Sequence, residues 1–369
     1  MDRRDFLRVS GAATAGVALP SVVSSAFAQT LAAGSAGGDG WRVFEVANRV
    51  EVLKPVGATR VWLPLPLVND TDYQKGLGNA WDAGEGRAAA SQDPRYGAGI
   101  LSVDWDEGRK PVLELKSRFA TRDRSVDLAA APDAQKLDEA ARKLYTSPTD
   151  LIPIDGIVRK TALDVTRGAA GEMEKARAIY EWTVENSFRD PKTRGCGIGD
   201  IKFMLETGSM GGKCADINAL FVGLCRAVGV PARDFYGVRV ADSRRGYKSL
   251  GKSGDITKAQ HCRAEFYGQG RGWIPVDPGD VRKVILEEPP GNLAIDDVKV
   301  RVARQYLFGA WEMNWLAYNF GHDLQLPGAQ RGRVGFLMYP QCETSEGRLD
   351  CLDPDNFMYQ ITTREVTLA

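Results

Sequence analysis

The spacing of apolar positions changes along the chain. From Trp41 to about Val126 they come in short runs broken by Pro and Gly: Val43-Phe44-Glu45-Val46, Arg60-Val61-Trp62-Leu63-Pro64-Leu65-Pro66, Leu101 to Asp104, and Val112-Leu113-Glu114-Leu115. Such runs predict the strands of a small β domain. Residues 69–99, rich in Gly, Ala and Asp, predict a long loop. Helical spacing begins near Pro132, where Leu137, Ala140, Ala141 and Leu144 follow the i, i+3, i+4, i+7 pattern. A second helix is expected from Glu172 to about Asn186, with Met173, Ala176, Ile179, Tyr180 and Val184 on one face. Residues 188–212 are Gly-rich and predict irregular chain. The next helix carries Ile217, Leu220, Phe221, Leu224 and Val228 in one stripe and is stopped by Gly229 and Pro231. Strands are then expected at Ala232–Val240, Cys262–Tyr267 and Trp273–Val276. An aromatic cluster (Trp311, Trp315, Tyr318) and two strand-like runs, Arg333–Tyr339 and Phe357–Val366, complete the pattern. The order predicts an α+β fold: an N-terminal β domain over 41–130, a core of helices packed on an antiparallel sheet over 131–300, and a β extension over 301–369.

The N-terminus stands outside this pattern. Asp2-Arg3-Arg4-Asp5-Phe6-Leu7-Arg8 precedes an apolar run from Gly11 to Phe27 that ends in Ala26-Phe27-Ala28. A basic region, a hydrophobic region and a small-x-small site make residues 1–28 an export signal. The paired arginines followed by Phe-Leu resemble the twin-arginine type, which carries folded proteins across the bacterial inner membrane. Periplasmic localisation is the expectation. Residues 29–40 read as a flexible linker.

No segment after residue 28 approaches 18 uninterrupted apolar residues, so no stable membrane insertion is expected after signal cleavage. Charge is balanced, 48 Lys and Arg against 48 Asp and Glu. There is no basic excess to hold nucleic acid. Cysteines stand at 196, 214, 225, 262, 342 and 351, with no C-x-x-C pair, and only two histidines accompany them. That composition supports no zinc site. A local disulfide between Cys342 and Cys351 is an expectation in an oxidising compartment.

Candidate chemistry concentrates at three positions. Cys214 follows Gly211-Gly212-Lys213 and opens the helix that carries Ile217 to Val228. A thiol there meets free backbone N–H groups and the positive end of the helix dipole, which favour thiolate. His261 begins a period-2 run, with His261, Arg263, Glu265 and Tyr267 on one face. After the Gly268-Gln269-Gly270 turn, Arg271, Trp273, Pro275 and Asp277 share a face. A hairpin centred on Gln269 sets Asp277 opposite His261, close enough for a carboxylate to hold one imidazole nitrogen and leave the other for a thiol. Pro275 cannot donate to a ladder, so its strand is an edge or is bulged. Other residues weigh less. Cys196 is a loop thiol, Cys225 is mid-helix, and Cys262 alternates away from His261. Asp216 reads as a dipole-compensating residue. His322 lies in a Gly-His-Asp turn without a comparable partner. Trp311, Trp315 and Tyr318 read as packing.

The residues Gly-Lys-Cys-Ala-Asp-Ile-Asn-Ala-Leu-Phe-Val-Gly-Leu-Cys-Arg-Ala-Val-Gly-Val-Pro-Ala-Arg (212–233) resemble the nucleophile helix of bacterial transglutaminase-like proteins. His-Cys-Arg-Ala-Glu-Phe-Tyr (261–267) and Gly-Trp-Ile-Pro-Val-Asp-Pro (272–278) resemble that family's other two motifs, in the family's order. Arg263 departs from a common Trp. The resemblance implies a papain-like core over about 140–285, with Cys214 as nucleophile, His261 as base and Asp277 orienting the base. It implies acyl transfer or hydrolysis at an amide carbonyl of a protein or peptide, or a silent binding module. No cofactor is required by such chemistry, and the calcium used by some relatives has no recognisable loop here.

Overall fold

The protein is described by a computed structural model over residues 40–367, apart from 132, 134, 135 and 356. The expected export signal and linker, up to residue 39, lie outside the described residues. The first part of the chain runs β1 (Arg42–Val52), β2 (Thr59–Pro64), β3 (Gln74–Asp82), β4 (Arg87–Gln92), β5 (Gly99–Trp105) and β6 (Val112–Thr121). Helices follow: α1 (Glu139–Thr146), α2 (Gly156–Val165), α3 (Gly171–Asn186), α4 (Ile201–Thr207) and α5 (Cys214–Ala227). Then come β7 (Ala232–Arg239), β8 (Gln260–Gly268), β9 (Gly272–Val276), α6 (Pro278–Glu287) and α7 (Val298–Tyr306). The last labelled strands are β10 (Trp315–Asn319), β11 (Gln341–Thr344) and β12 (Phe357–Glu365).

Two antiparallel sheets form the N-terminal β unit. One has the order β12-β1-β6-β3, the other β11-β2-β5-β4, each extended by a two-residue strand at its first-named edge. Alternation puts Phe44, Val46, Val50, Leu113 and Leu115 from the first sheet and Val61, Leu63, Leu101 and Val103 from the second into one core. Residues 69–99 are not the long loop expected. They hold β3 and β4, both edge strands. Their side chains are half-exposed or exposed along most of their length, so they need no apolar alternation. Strands from beyond residue 301 complete these sheets: Phe44 pairs with Glu365, and Val61 with Cys342.

The second unit is built on the antiparallel sheet β9-β8-β7-β10. Helix α5 packs on it and is buried along its whole length, which its apolar composition demands. Phe221 on α5 meets Phe266 on β8 edge-on, ring centroids 6.3 Å apart. Burying side chains such as Leu220, Phe221 and Leu224 contributes roughly 2 kcal/mol each before chain entropy is counted. Pro275 lies in β9, the edge strand, where its missing N–H costs the sheet nothing.

Other expectations are corrected. The helix expected from Pro132, itself outside the described residues, starts at Glu139, where Asp138 caps it by accepting from Ala141 N at 2.9 Å. Residues 188–212 contain α4, capped by Asp200 and ended by Gly208 at φ 68°. Helices α2, α6 and α7 are additions to the expected elements, short helices whose buried stripes rest on Val158 and Ala162, Val281 and Val284, and Val300 and Ala303. Residues 333–339 form no strand; Val334 makes only an isolated bridge to Leu324. Cys342 and Cys351 are free thiols. Cys342 points into the β core and Cys351 packs beside Cys196 and Tyr339, so no disulfide joins them.

Candidate active site

The site lies where the start of α5, the start of β8 and the start of α6 meet. Cys214 is the first residue of α5, and the first intrahelical bond runs from Ile217 N to Lys213 O at 3.0 Å. Its own N–H is therefore among the helix donors with no intrahelical acceptor. The Asp216 carboxylate accepts from the backbone N of Lys213 (2.9 Å), Ile198 (3.0 Å) and Gly199 (2.9 Å). It thus ties the 195–199 loop to the helix start, a larger role than dipole compensation. The loop must approach closely for this. Gly197 has φ +88°, and a Cβ there would sit 1.8 Å from an Asp216 oxygen.

The loop brings a second thiol to the first. Cys214 clusters with Cys196 and Cys262, and their thiols and the His261 imidazole bear on its charge. The two thiols, and then His261, hold Cys214 well below the ordinary thiol range against the opposing effect of burial. The neighbouring Cys214 pushes Cys196 up, while the Cys196 thiol itself donates to Gln260 O at 3.3 Å, and burial pushes Cys262 up. These directions favour charge on Cys214 over its two neighbours. Alternation does turn Cys262 away from His261, but toward α5, and so toward Cys214.

His261 Nε2 is 2.8 Å from Asp277 Oδ2, and both side chains are buried. With Nε2 so engaged, Nδ1 is the nitrogen left for the thiol. The hairpin register differs from the expected one. Gly268 pairs with Gly272 and Ala264 with Val276, so the turn is Gln269-Gly270-Arg271, centred on Gly270 rather than Gln269. The shift is two positions, which preserves the face, and Asp277 reaches His261 diagonally rather than from directly opposite. Asp277 is also the N-cap of α6: its Oδ1 accepts from Asp280 N at 2.9 Å and from Asn218 Nδ2 at 3.3 Å. One carboxylate thus fixes helix and imidazole together.

Several members of the site escaped the sequence reading. Asp280 Oδ2 is 3.3 Å from His261 Nε2, and Asp280 Oδ1 accepts from Arg239 Nη2 at 2.5 Å. The Asp277-Pro278-x-Asp280 pattern was the available signal: an N-cap, Pro at N1 and an acid at N3. Asn218, one turn after Cys214, donates to Cys262 O at 2.8 Å and accepts from Gly279 N at 3.1 Å. Arg263 lies behind Asp277, Nε to Oδ2 3.6 Å, with its guanidinium 4.8 Å from the Trp315 ring. Burial and the Arg239 charge oppose protonation of His261, but Asp280 and Asp277 outweigh them and raise it to about 9. Burial, then the neighbouring Asp280, push Asp277 up. Asp280 resists burial through Arg239 and His261 and stays well below the carboxylate range.

His261, Asp277 and Asp280 offer metal-ligand atoms within 4.8 Å of one another. Those atoms are already committed to each other and to Arg239, and the residues are buried. The donor set fits a charge-balanced imidazolium better than a metal.

Of the remaining candidates, Trp315 touches the site, its Nε1 donating to His261 O at 3.0 Å. Cys225 belongs to the main core. Trp311, Trp315 and Tyr318 are buried packing residues. His322 does have a partner: its Nε2 is 3.1 Å from Asp234 Oδ2 and 3.5 Å from the Tyr236 hydroxyl. That pair is not among the residues lining the open cleft of about 1020 Å³ that contains Cys214 and His261.

Comparison with known proteins agrees with this architecture. Residues 159–278 match the transglutaminase-like superfamily model, and residues 1–20 match the twin-arginine translocation signal. The signal indicates export across the cytoplasmic membrane, and among the described residues no helix is long and apolar enough to span one. The chain is 31% identical over 353 residues to an uncharacterized protein of Haemophilus influenzae, covering 88% of this chain and 92% of that one. A solved structure provisionally named as a cysteine protease from Cytophaga hutchinsonii is 15% identical, with 88% of this chain and 99% of that chain covered and a TM-score of 0.50. The periplasmic domain of TgpA from Pseudomonas aeruginosa is more distant, 14% identical over 69% of this chain and 94% of that one, TM-score 0.36. The chain belongs to the transglutaminase-like superfamily.

Proposed function

We propose that the protein is an exported thiol enzyme that acts in the periplasm on an amide carbonyl of a protein or peptide. The observation that carries this reading is the buried Cys214–His261–Asp277 arrangement opening onto a cleft, with its thiol held low and its imidazole held high. At neutral pH such a pair exists as thiolate and imidazolium. Cys214 Sγ attacks the carbonyl carbon, and the C–N bond breaks as His261 gives its proton from Nδ1 to the departing nitrogen. The resulting thioester is released by water or by an amine, deprotonated in turn by His261. Asp277 holds the ring in the tautomer that presents Nδ1 and supports its positive charge. The unpaired N–H of Cys214 at the helix start is placed to receive the oxyanion.

The test is incubation of the mature protein with a glutamine-containing peptide and a labelled amine. Ammonia release with amine incorporation identifies an acyltransferase; ammonia release alone identifies a hydrolase. Cys214→Ala must abolish either signal. A wild-type Cys214 that stays inert to iodoacetamide near neutral pH after reduction would refute the reading.

A further inference from the structure

Charge in the cleft is one-sided although the chain as a whole is balanced, 48 basic against 48 acidic residues. Six cations line it: Arg189, Lys213, Arg239, Lys252, Lys258 and Lys283. Its lining acids are Asp255 and Asp355. Two more acids stand against individual cations. Asp280 takes Arg239, and Glu287 is shared by Arg189 and Lys283. Lys213 and Lys258 make no side-chain hydrogen bond or ion pair among the described residues, while Lys252 is close enough to Asp255 to help lower that carboxyl. The unpaired charges come from both flanks of the candidate nucleophile. Lys213 immediately precedes Cys214, and Lys258 belongs to the loop that leads into β8 and His261.

Like charges crowd the buried end of the cleft. Lys283 is pushed down first by burial and then by the charges of Arg189 and Arg239. Arg189, opposed by burial, is kept charged by the Cys214 thiolate and by Glu287. A cleft that holds like charges together in a partly desolvated place gains from a ligand that brings carboxylates. Lysines supply compact point charges, which suit carboxylates in varied geometry.

We infer that the acyl donor is an acidic peptide, carrying carboxylates on either side of the amide that meets Cys214. This rests on the thiol-enzyme reading and adds its substrate class. The lysines recruit and seat the chain, and an anion near the reacting carbonyl is tolerated because unpaired cations surround it.

Two alkylating agents separate this inference from the reading beneath it. Iodoacetamide is neutral and iodoacetate is an anion, and site-resolved mass spectrometry follows Cys214 in the reduced full-length mature protein. The quantity read is the rate ratio, iodoacetate over iodoacetamide, which cancels changes in thiol nucleophilicity. At low salt the ratio should exceed that of a reference thiol peptide by about tenfold or more. It should collapse toward the reference at about 0.5 M salt, where screening acts within a few ångströms. Lys213→Met and Lys258→Met should each lower it several-fold, with His261 untouched. In parallel, short Glu-rich peptides should protect Cys214 from iodoacetamide at concentrations where their Gln and Lys counterparts do not. A high ratio unaffected by the lysine substitutions would assign the preference to the imidazolium alone and overturn the inference. Equal protection by all three peptides would overturn it as well. In both cases the thiol-enzyme reading survives, because Cys214 reacts. Failure of Cys214 to react with iodoacetamide would remove both.

Discussion

Asp280 offers the sharpest test of the site's electrostatics. Its carboxylate stands 3.3 Å from His261 Nε2, beside the Asp277 contact at 2.8 Å. At an effective dielectric of about 20, a unit charge at that separation is worth roughly 5 kcal/mol, or between 3 and 4 pKa units. Side-chain relaxation and the remaining amide dipole return part of this. Asp280→Asn should therefore lower His261 by at least about 2 units from its value of about 9. The uncovered Arg239 guanidinium pushes in the same direction. Adding Arg239→Gln removes that opposing cation, so the double variant should titrate back toward the wild-type value. The double variant also spares the fold the cost of a buried unpaired charge, about 3–5 kcal/mol. The assay is direct because the chain has two histidines. Isotope-labelled histidine gives two imidazole signals, assigned with His322→Gln and followed by NMR against pH. An unchanged His261 titration in the folded single variant would refute the argument. So would a double variant that titrates no higher than the single one.

Further expectations follow from the same geometry. Raised His261 contributes stability that is full below its unfolded value near 6.5 and lost as pH rises through about 9. Depressed Cys214 contributes stability that is present above about 8.5 and lost as pH falls through its folded value. Above the folded Cys214 value and below about 8.5 the two slopes oppose each other, so Cys214→Ala should acquire a negative slope relative to wild type in urea titrations; no difference in slope would exclude the ion pair. Gly197→Ala drives a Cβ into Asp216 at 1.8 Å and should destabilise by about 3 kcal/mol. A urea midpoint shift worth less than about 1 kcal/mol would show that the loop is not held as described. Cys196→Ala removes the neighbour with the largest lowering effect on Cys214 and should raise the apparent Cys214 value in the pH profile of iodoacetamide alkylation; an unshifted profile would leave the depression to Cys262 and His261.

Legibility in the sequence followed the range of the interaction. Helix α5 was readable because its stripe, its Gly-Pro stop and its opening Cys214 are local. The His261–Asp277 face was readable because period 2 survives an even register error, although the turn sits one residue later than expected. Residues 69–99 were misread because edge strands need no apolar alternation. Asp280 was missed with α6, whose apolar face is thin, although its cap pattern was present. The Cys196–Cys214–Cys262 cluster and the Asp234–His322 pair join residues on different elements, and no local spacing announces them. Arg263 was noticed only as a departure from a family pattern. Its place between Asp277 and Trp315 depends on β10, contributed from far along the chain.

The pairing of β12 with β1 has a consequence for how the molecule is made. Arg42 and Glu365 are bonded across 323 positions of chain, and Met358, Tyr359 and Gln360 of the same late strand line the cleft. A ribosome finishing the α5 helix holds a nucleophile without a completed cleft. Sheet closure must wait for residues synthesised long after β1, and such distant pairing is slow. Folding is therefore largely post-translational, and it must finish before export if the signal delivers its cargo folded. The thiol would then be assembled inside the cell, under reducing conditions, with its two neighbouring cysteines still free to serve it.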